Sequence, residues 1–216
     1  MTRIRERNRA IILIAASEEF ARKGFAAART KDIATRAGVP KPSVYYYFKN
    51  KESLYTDVLE SVIEPLLQAS EHFHKKCIPT QVLTRFIRAR VQLARDLPFA
   101  SKVLVGEIMH GGERLRPEQI DRINGQELYN IACLQTWIDQ GQIAPIEPRH
   151  LLFTISAASQ NYMDLDWQVS THTSDGVLGD VCYEAITQNL LRMVLKACEP
   201  DATEPQSDAR APTIVQ

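Results

Sequence analysis

Long apolar runs are missing from this chain of 216 residues. None approaches the ~18 consecutive apolar residues that cross a bilayer. The N-terminal stretch MTRIRERNRA carries charges where a signal peptide needs an apolar segment. Both absences point to a cytoplasmic protein. Cysteine is scarce: the 4 present, Cys77, Cys133, Cys182 and Cys198, include no C-x-x-C pair and have no histidine cluster beside them. That spacing indicates neither a zinc site nor a disulfide framework, and it predicts thiols buried as small hydrophobes. The 9 glycines build no phosphate-cradling loop. His72, His74, His110, His150 and His172 accompany no nucleophile elbow and no metal-ligand spacing. His72 and His74, two apart, would point in different directions on a helix. Catalysis, a cofactor and a bound metal are therefore not expected.

Charge of one sign is missing only in the total. Lys plus Arg and Asp plus Glu balance at 26 each, but residues 1–51 hold 12 basic against 4 acidic side chains. The remaining residues hold 14 against 22. A basic N-terminal module on an acidic remainder suits a chain whose one end meets a polyanion, although an unevenly charged solvated surface gives the same count.

Aromatics make up only 7% of the chain, yet KPSVYYYFKNKESL packs three tyrosines and a phenylalanine between lysines. The flanking pattern explains the cluster. From Arg7 to Lys23, Ile12, Leu13, Ala16 and Phe20 fall at helical spacing, and Gly24 follows as a residue able to take positive φ. Thr30 is an N-cap candidate for a second helix with Ile33, Ala34 and Ala37 on one face, ended by Gly38. Pro42 fits the first turn of a third helix running through Phe48, and Asn50 caps a fourth beginning KESL. Two short helices joined through a glycine turn form a helix-turn-helix, whose second helix enters the DNA major groove. Ser43 and Tyr45 then project toward DNA, while Val44 and Phe48, four apart, face inward. Tyrosine suits that boundary because its ring packs while its hydroxyl reaches a phosphate. Lys51 lies in the first turn of the next helix, where N–H groups and an ammonium together favour another phosphate. The aromatic cluster also serves a small helical core, so one or two of Tyr45, Tyr46 and Tyr47 are expected to pack.

The stretch Ile12 to Leu59 resembles the DNA-binding domain of TetR-family transcriptional regulators. It carries A-A-x-x-x-F-x-x-x-G-F, then T-x-x-x-I-A-x-x-A-G-V, then Y-x-Y-F-x-x-K-x-x-L. The resemblance implies that Thr30 touches phosphate, that Lys41, Pro42, Ser43 and Tyr45 meet bases or phosphates, and that Tyr47 and Lys51 approach the backbone of the double-stranded operator. Pro42 departs from the glycine or alanine of many members and narrows the start of the recognition helix.

The rest reads as helical, so the fold class is all-α. The helix from residue 52 reaches about residue 70, with Pro65 expected to kink or stop it. Thr80 caps a helix ended before Pro98, Phe99 to His110 forms a shorter one, and longer helices cover about Pro117 to Gln140, Pro148 to Thr171 and Gly176 to Glu199. Residues 1–55 are assigned to a helix-turn-helix domain, 56–200 to ligand binding and dimerisation, and the polar, proline-bearing residues 201–216 to a disordered tail. On the Pro148 helix, Leu151, Ile155, Ala158, Tyr162, Leu165 and Val169 form one stripe that should pack. Opposite it, Phe153, Ser156, Gln160, Asp164 and Trp167 form a second stripe, with aromatic ends and polar groups between. An apolar wall with a few aimed polar groups is how a small-molecule pocket is built. The alternative is a partly exposed or helix-packed stripe with Asp164 paired to an arginine such as Arg95.

From about Phe86 to Val169 the chain also resembles the pyrimidine-utilisation repressor subgroup of the same family, strongest at Arg95-Asp96, Glu107, the I-x-P-x-x-P run and Gln160-x-Tyr162-x-Asp164. Met163 and Trp167 depart from it. The resemblance implies a small-molecule effector, a pyrimidine among the candidates, and a homodimer formed through the last two helices. A two-fold dimer also places two short recognition helices about 34–36 Å apart, one DNA turn. The combined expectation is a repressor released by a metabolite; an activator, or a regulator without a ligand, are the alternatives.

Overall fold

A computed structural model describes the backbone over residues 2–164 and 179–200, with side chains over 4–161 and 179–200. Every regular element among the described residues is a helix. The expected course of the Pro148 helix beyond residue 164, the side chains of Tyr162 and Asp164, Trp167 and the tail 201–216 lie outside the described residues.

Helices α1 (Thr2–Ala27), α2 (Thr30–Ala37) and α3 (Lys41–Tyr47) form the N-terminal unit. The first starts five residues before the expected Arg7. Its opening turns are held sideways, the Arg5 guanidinium over the Tyr46 ring at 5.8 Å and Arg9 over Phe48 at 5.1 Å. Gly24, at φ 70 and ψ 169, breaks the helical path near the end of α1, as its sequence position suggested. Helix α2 ends at Gly38, whose φ of 67 and ψ of 28 lie in the left-handed region that glycine enters without a Cβ clash. Arg29, not Thr30, occupies the N-cap of α2, and Thr30 is its first helical residue, free to turn its hydroxyl elsewhere.

Helix α4 (Lys51–Ala69) starts from a capping box in which Asn50 accepts from the Ser53 N–H at 2.7 Å and Ser53 Oγ accepts from the Asn50 N–H at 3.2 Å. It runs four residues past Pro65 and ends at Ala69, close to the expected residue 70, so of the two expectations for Pro65 the stop does not apply. Helices α5 (Pro79–Asp96), α6 (Pro98–Met109), α7 (Pro117–Asp139) and α8 (Pro148–Asp164) each open on a proline. Proline's fixed φ suits the first helical position and its missing N–H is no loss there. This is why Ile78 precedes α5 as its cap and Thr80 lies inside the helix, against the sequence expectation. The last described helix is α9 (Asp180–Ala197).

Two apolar cores result. One gathers Ile12, Phe20, Ile33, Val44 and Phe48 from the N-terminal unit, Leu54, Val58, Leu59 and Val62 from α4, and Ala100, Val103 and Leu104 from α6. The expected division at residue 55 therefore falls inside a continuous helix and a shared core. The second core joins Phe86, Ile87 and Val91 of α5 to Cys133, Leu134 and Trp137 of α7, Leu151 and Ile155 of α8, and Leu190 and Leu191 of α9. Trp137 is fully buried, with its indole N–H donating to the Lys75 carbonyl at 3.2 Å. Cys133 and Cys198 are buried as small hydrophobes, and burial pushes both thiols up from their ordinary range. Cys77 is exposed, contrary to expectation, because it sits in the turns between α4 and α5.

Candidate functional site

Helix α3 presents one apolar and one open face. Val44 and Phe48 are buried against α1 and α2, as their spacing required. Tyr45 and Tyr46 are 46% and 68% exposed, Lys41 and Pro42 are exposed, and Ser43 is half-buried. Tyr47 is half-buried, packs on the N-terminal core and meets Tyr46 edge-on at 5.0 Å. It is thus the tyrosine whose ring is mainly structural. The hydroxyls of Thr30 and Tyr45 are hydrogen-bonded at 3.0 Å, and the Lys41 ammonium lies over the Tyr45 ring at 5.9 Å. The start of α2 and the outer face of α3 therefore form one polar surface. Arg36 fixes α2 to α1 by pairing with Glu18 at 2.6 Å and with the buried Glu19 at 3.4 Å.

Lys51, expected at a phosphate, has its ammonium bonded within the protein. Its ammonium donates to the carbonyls of Phe25 at 2.9 Å, Ala28 at 3.3 Å and Ala26 at 3.4 Å, and stands 4.4 Å from the Phe25 ring centroid. An ammonium has three N–H groups, and three carbonyls take them. The kink at Gly24 turns these carbonyls toward the start of α4, where a cation meets the negative end of a helix.

A cavity of about 540 Å³ lies in the second half. Each wall shows helical spacing: Val62 and Leu66 on α4; Phe86, Arg90 and Leu93 on α5; Ser101, Leu104, Val105 and Ile108 on α6; Ile123, Gln126, Glu127 and Asn130 on α7. Helix α8 contributes Phe153, Ser156 and Gln160, three members of the second stripe, while Leu151 and Ile155 of the first stripe are buried behind them. Phe153 remains 55% exposed at the wall. Arg95, the alternative partner weighed for Asp164, pairs with Asp180 and lies 5.1 Å from the Tyr183 ring.

Polar groups on the α4 and α7 walls are linked: Gln126 donates to Asn130 Oδ1 at 2.9 Å, and Asn130 donates to Ser70 Oγ at 3.0 Å. Arg90 was absent from the sequence-based set although it stands four residues after Phe86 on the buried face of α5, a spacing that could have revealed it. Desolvation pulls its guanidinium down to about 10, against the attraction of Glu127, which leaves it charged at neutral pH.

Between this cavity and the N-terminal unit stands a buried contact. Tyr55 of α4 donates to Glu107 Oε2 of α6 at 2.8 Å, and the Arg114 N–H donates to Glu107 Oε1 at 2.7 Å. Burial first, then the Glu107 hydrogen bond, push the Tyr55 phenol well above its ordinary range. Phe20 and Phe25 meet the Tyr55 ring edge-on at 4.9 and 5.0 Å.

Residues 12–58 match the family described as bacterial regulatory proteins, tetR family, and residues 59–201 match the YcdC-like protein, C-terminal region. The chain belongs to the TetR family. As a TetR-family member it is a DNA-binding transcriptional regulator, and not an enzyme. The HTH-type transcriptional regulator RutR of Escherichia coli strain K12 is 31% identical over 189 residues, 88% of this chain and 89% of RutR. The HTH-type transcriptional repressor NicS of Pseudomonas putida is 30% identical over 138 residues, 63% of this chain and 64% of NicS. Among solved structures, the ketosteroid transcriptional regulator KstR2 of Mycobacterium tuberculosis shares the fold with a TM-score of 0.73 at 19% identity, over 89% of this chain and 95% of that one.

Proposed function

We propose that this TetR-family regulator is a homodimeric repressor in the cytoplasm, released from its operator when a small molecule occupies the α4–α8 cavity. The observation that carries this reading is the position of α4 and α6: both line the cavity and both belong to the core that supports the DNA-reading helices. A compound that prefers one placement of those helices shifts the protein toward it, by no more than its difference in affinity for the two placements. Thr30, Lys41, Pro42, Ser43 and Tyr45 meet the operator, Tyr47 approaches its backbone from a mainly structural position, and Lys51 acts indirectly by holding the end of α1. Phe153 and Gln160 contact the effector; Asp164 and Trp167 are assigned the same role from their stripe alone. Dimerisation through α8 and α9 is supported by the exposure of Val181 and Met193 on α9.

The test begins by selecting bound duplexes from random DNA with the purified full chain. Release of the selected operator is then followed as fractionated cell metabolites, uracil and thymine are added. The pyrimidines enter on the resemblance to the pyrimidine-utilisation subgroup. Release by at least one compound, with a dimer in solution, is the expected result. An operator complex indifferent to every fraction would overturn the ligand-responsive reading.

A further inference from the structure

The chemistry of the cavity narrows what fills it. Its walls are mainly aliphatic and aromatic, and Gln126, Asn130 and Ser70 bind one another. Arg90 differs from them. It lines the same space, yet among the described residues it makes no hydrogen bond and closes no ion pair; Glu127 attracts it only through space. A half-buried guanidinium offering N–H groups to a space walled mostly by apolar side chains is half of a carboxylate site, because its planar fork donates to two carboxylate oxygens side by side. We propose that the effector is a small organic monoacid, its carboxylate paired with Arg90 and its uncharged frame lying against the walls that Leu104, Ile123 and Phe153 help to form. This rests on the reading that the cavity holds an effector, and gives that effector a chemical class.

The charge count favours a single negative charge. Arg90 is the cation on the described wall, and Glu127 lines the same space with a carboxylate that would repel a second anionic oxygen pair. A phosphate dianion therefore fits less well than a carboxylate. The volume of about 540 Å³ lies within the range of cavities that enclose ligands of drug size, so the frame has room for a ring or a medium-length chain. The lowering of the Arg90 guanidinium to about 10 agrees with this geometry: enclosure by the walls disfavours its charge, and Glu127 offsets that only in part.

Octanoate, benzoate and 4-phenylbutyrate, each beside its primary amide, together with uracil and thymine, test the assignment on the full-length protein by thermal shift and calorimetric titration. At least one acid should raise the melting temperature and bind about tenfold or more tightly than its amide, the difference expected for a charge-assisted bond at an enclosed site. In Arg90→Gln that preference should vanish, and in Arg90→Lys it should persist in weakened form because the charge remains without the fork. Circular dichroism establishes that each variant is folded, and the acid-against-amide comparison on the unaltered protein stands without them. Amides or pyrimidines binding as well as the acids, or an undiminished acid preference in folded Arg90→Gln, would overturn the monoacid while leaving a ligand-responsive regulator in place. Failure of every acid to bind overturns it too, and the operator-release experiment then shows separately whether any effector exists.

Discussion

At the scale of single residues, Lys51 ties the start of α4 to the end of α1 and the residue after it. Three carbonyls at and just after the end of α1, together with the Phe25 ring, occupy its ammonium. Lys51→Ala leaves those carbonyls to water and removes the tie between α1 and α4. Denaturant titration should show a loss of about 1–3 kcal/mol. Operator affinity should fall with that stability while its salt dependence stays the same. A lysine bonded to phosphate would instead lower the salt slope by about one unit per contact in each protomer. Position in the chain suggested the second behaviour, because the first turn of a helix is where phosphates bind. What sequence periodicity did not reveal was the turn at Gly24, which brings the end of α1 within reach from 26 residues away. The same kind of reach explains Thr30: placed as a cap by residue type, it is bonded through its hydroxyl to Tyr45, 15 residues on.

Among the elements, α8 was the most legible. Its alternating spacings of three and four separated Leu151 and Ile155 from Phe153, Ser156 and Gln160, and the helix indeed turns the first pair into the core and the others to the cavity. Helix starts were legible at Pro117 and Pro148, and less so at α5, where Pro79 opens the helix from Ile78 without a side-chain cap and leaves Thr80 inside it. Arg90 shares the buried face of α5 with Phe86 by its spacing, but an arginine in an amphipathic pattern reads as surface until α6, α7 and α8 are seen to enclose it. The two faces of α8 predict two kinds of variant. Ile155→Ala removes a fully buried side chain and should cost about 2–5 kcal/mol in thermal or denaturant unfolding. Gln160→Leu keeps approximate size and should leave folding and operator binding intact while weakening release by the effector, with about 1–3 kcal/mol lost from ligand binding. Intact release in Gln160→Leu, beside unchanged stability in Ile155→Ala, would reverse the assignment of the faces.

Across the whole molecule, the Tyr55–Glu107 contact joins the helix that supports DNA reading to a helix that walls the cavity. Tyr55→Phe leaves Glu107 Oε2 buried without its donor, a loss of about 1–3 kcal/mol. The expected result is a lower melting temperature together with a weaker link between ligand and operator: each should still bind, but the ligand should alter operator affinity less than in the unaltered protein. Equal coupling in Tyr55→Phe and the parent would remove this contact from the path. Because Ala100, Val103 and Leu104 of α6 pack into the same core as Ile12, Ile33 and Val44, heating should melt the two halves together. A single calorimetric transition is expected, and two resolved transitions would contradict it.

The shared core also decides how this regulator can be recombined with others. Sequence patterns invite a cut at residue 55, with a foreign DNA-reading head joined to this sensor. Such a graft would set a foreign α1 to α3 and the first turn of α4 against the unmatched rest of α4 and α6, and the mismatch would lie where the replacements of Ile12, Ile33 and Val44 meet Val58, Leu59, Val103 and Leu104 rather than at the splice itself. The natural unit of exchange is discontinuous, the first four helices and the sixth, so a working chimera requires that α6 travel with the head while its cavity face stays with the sensor.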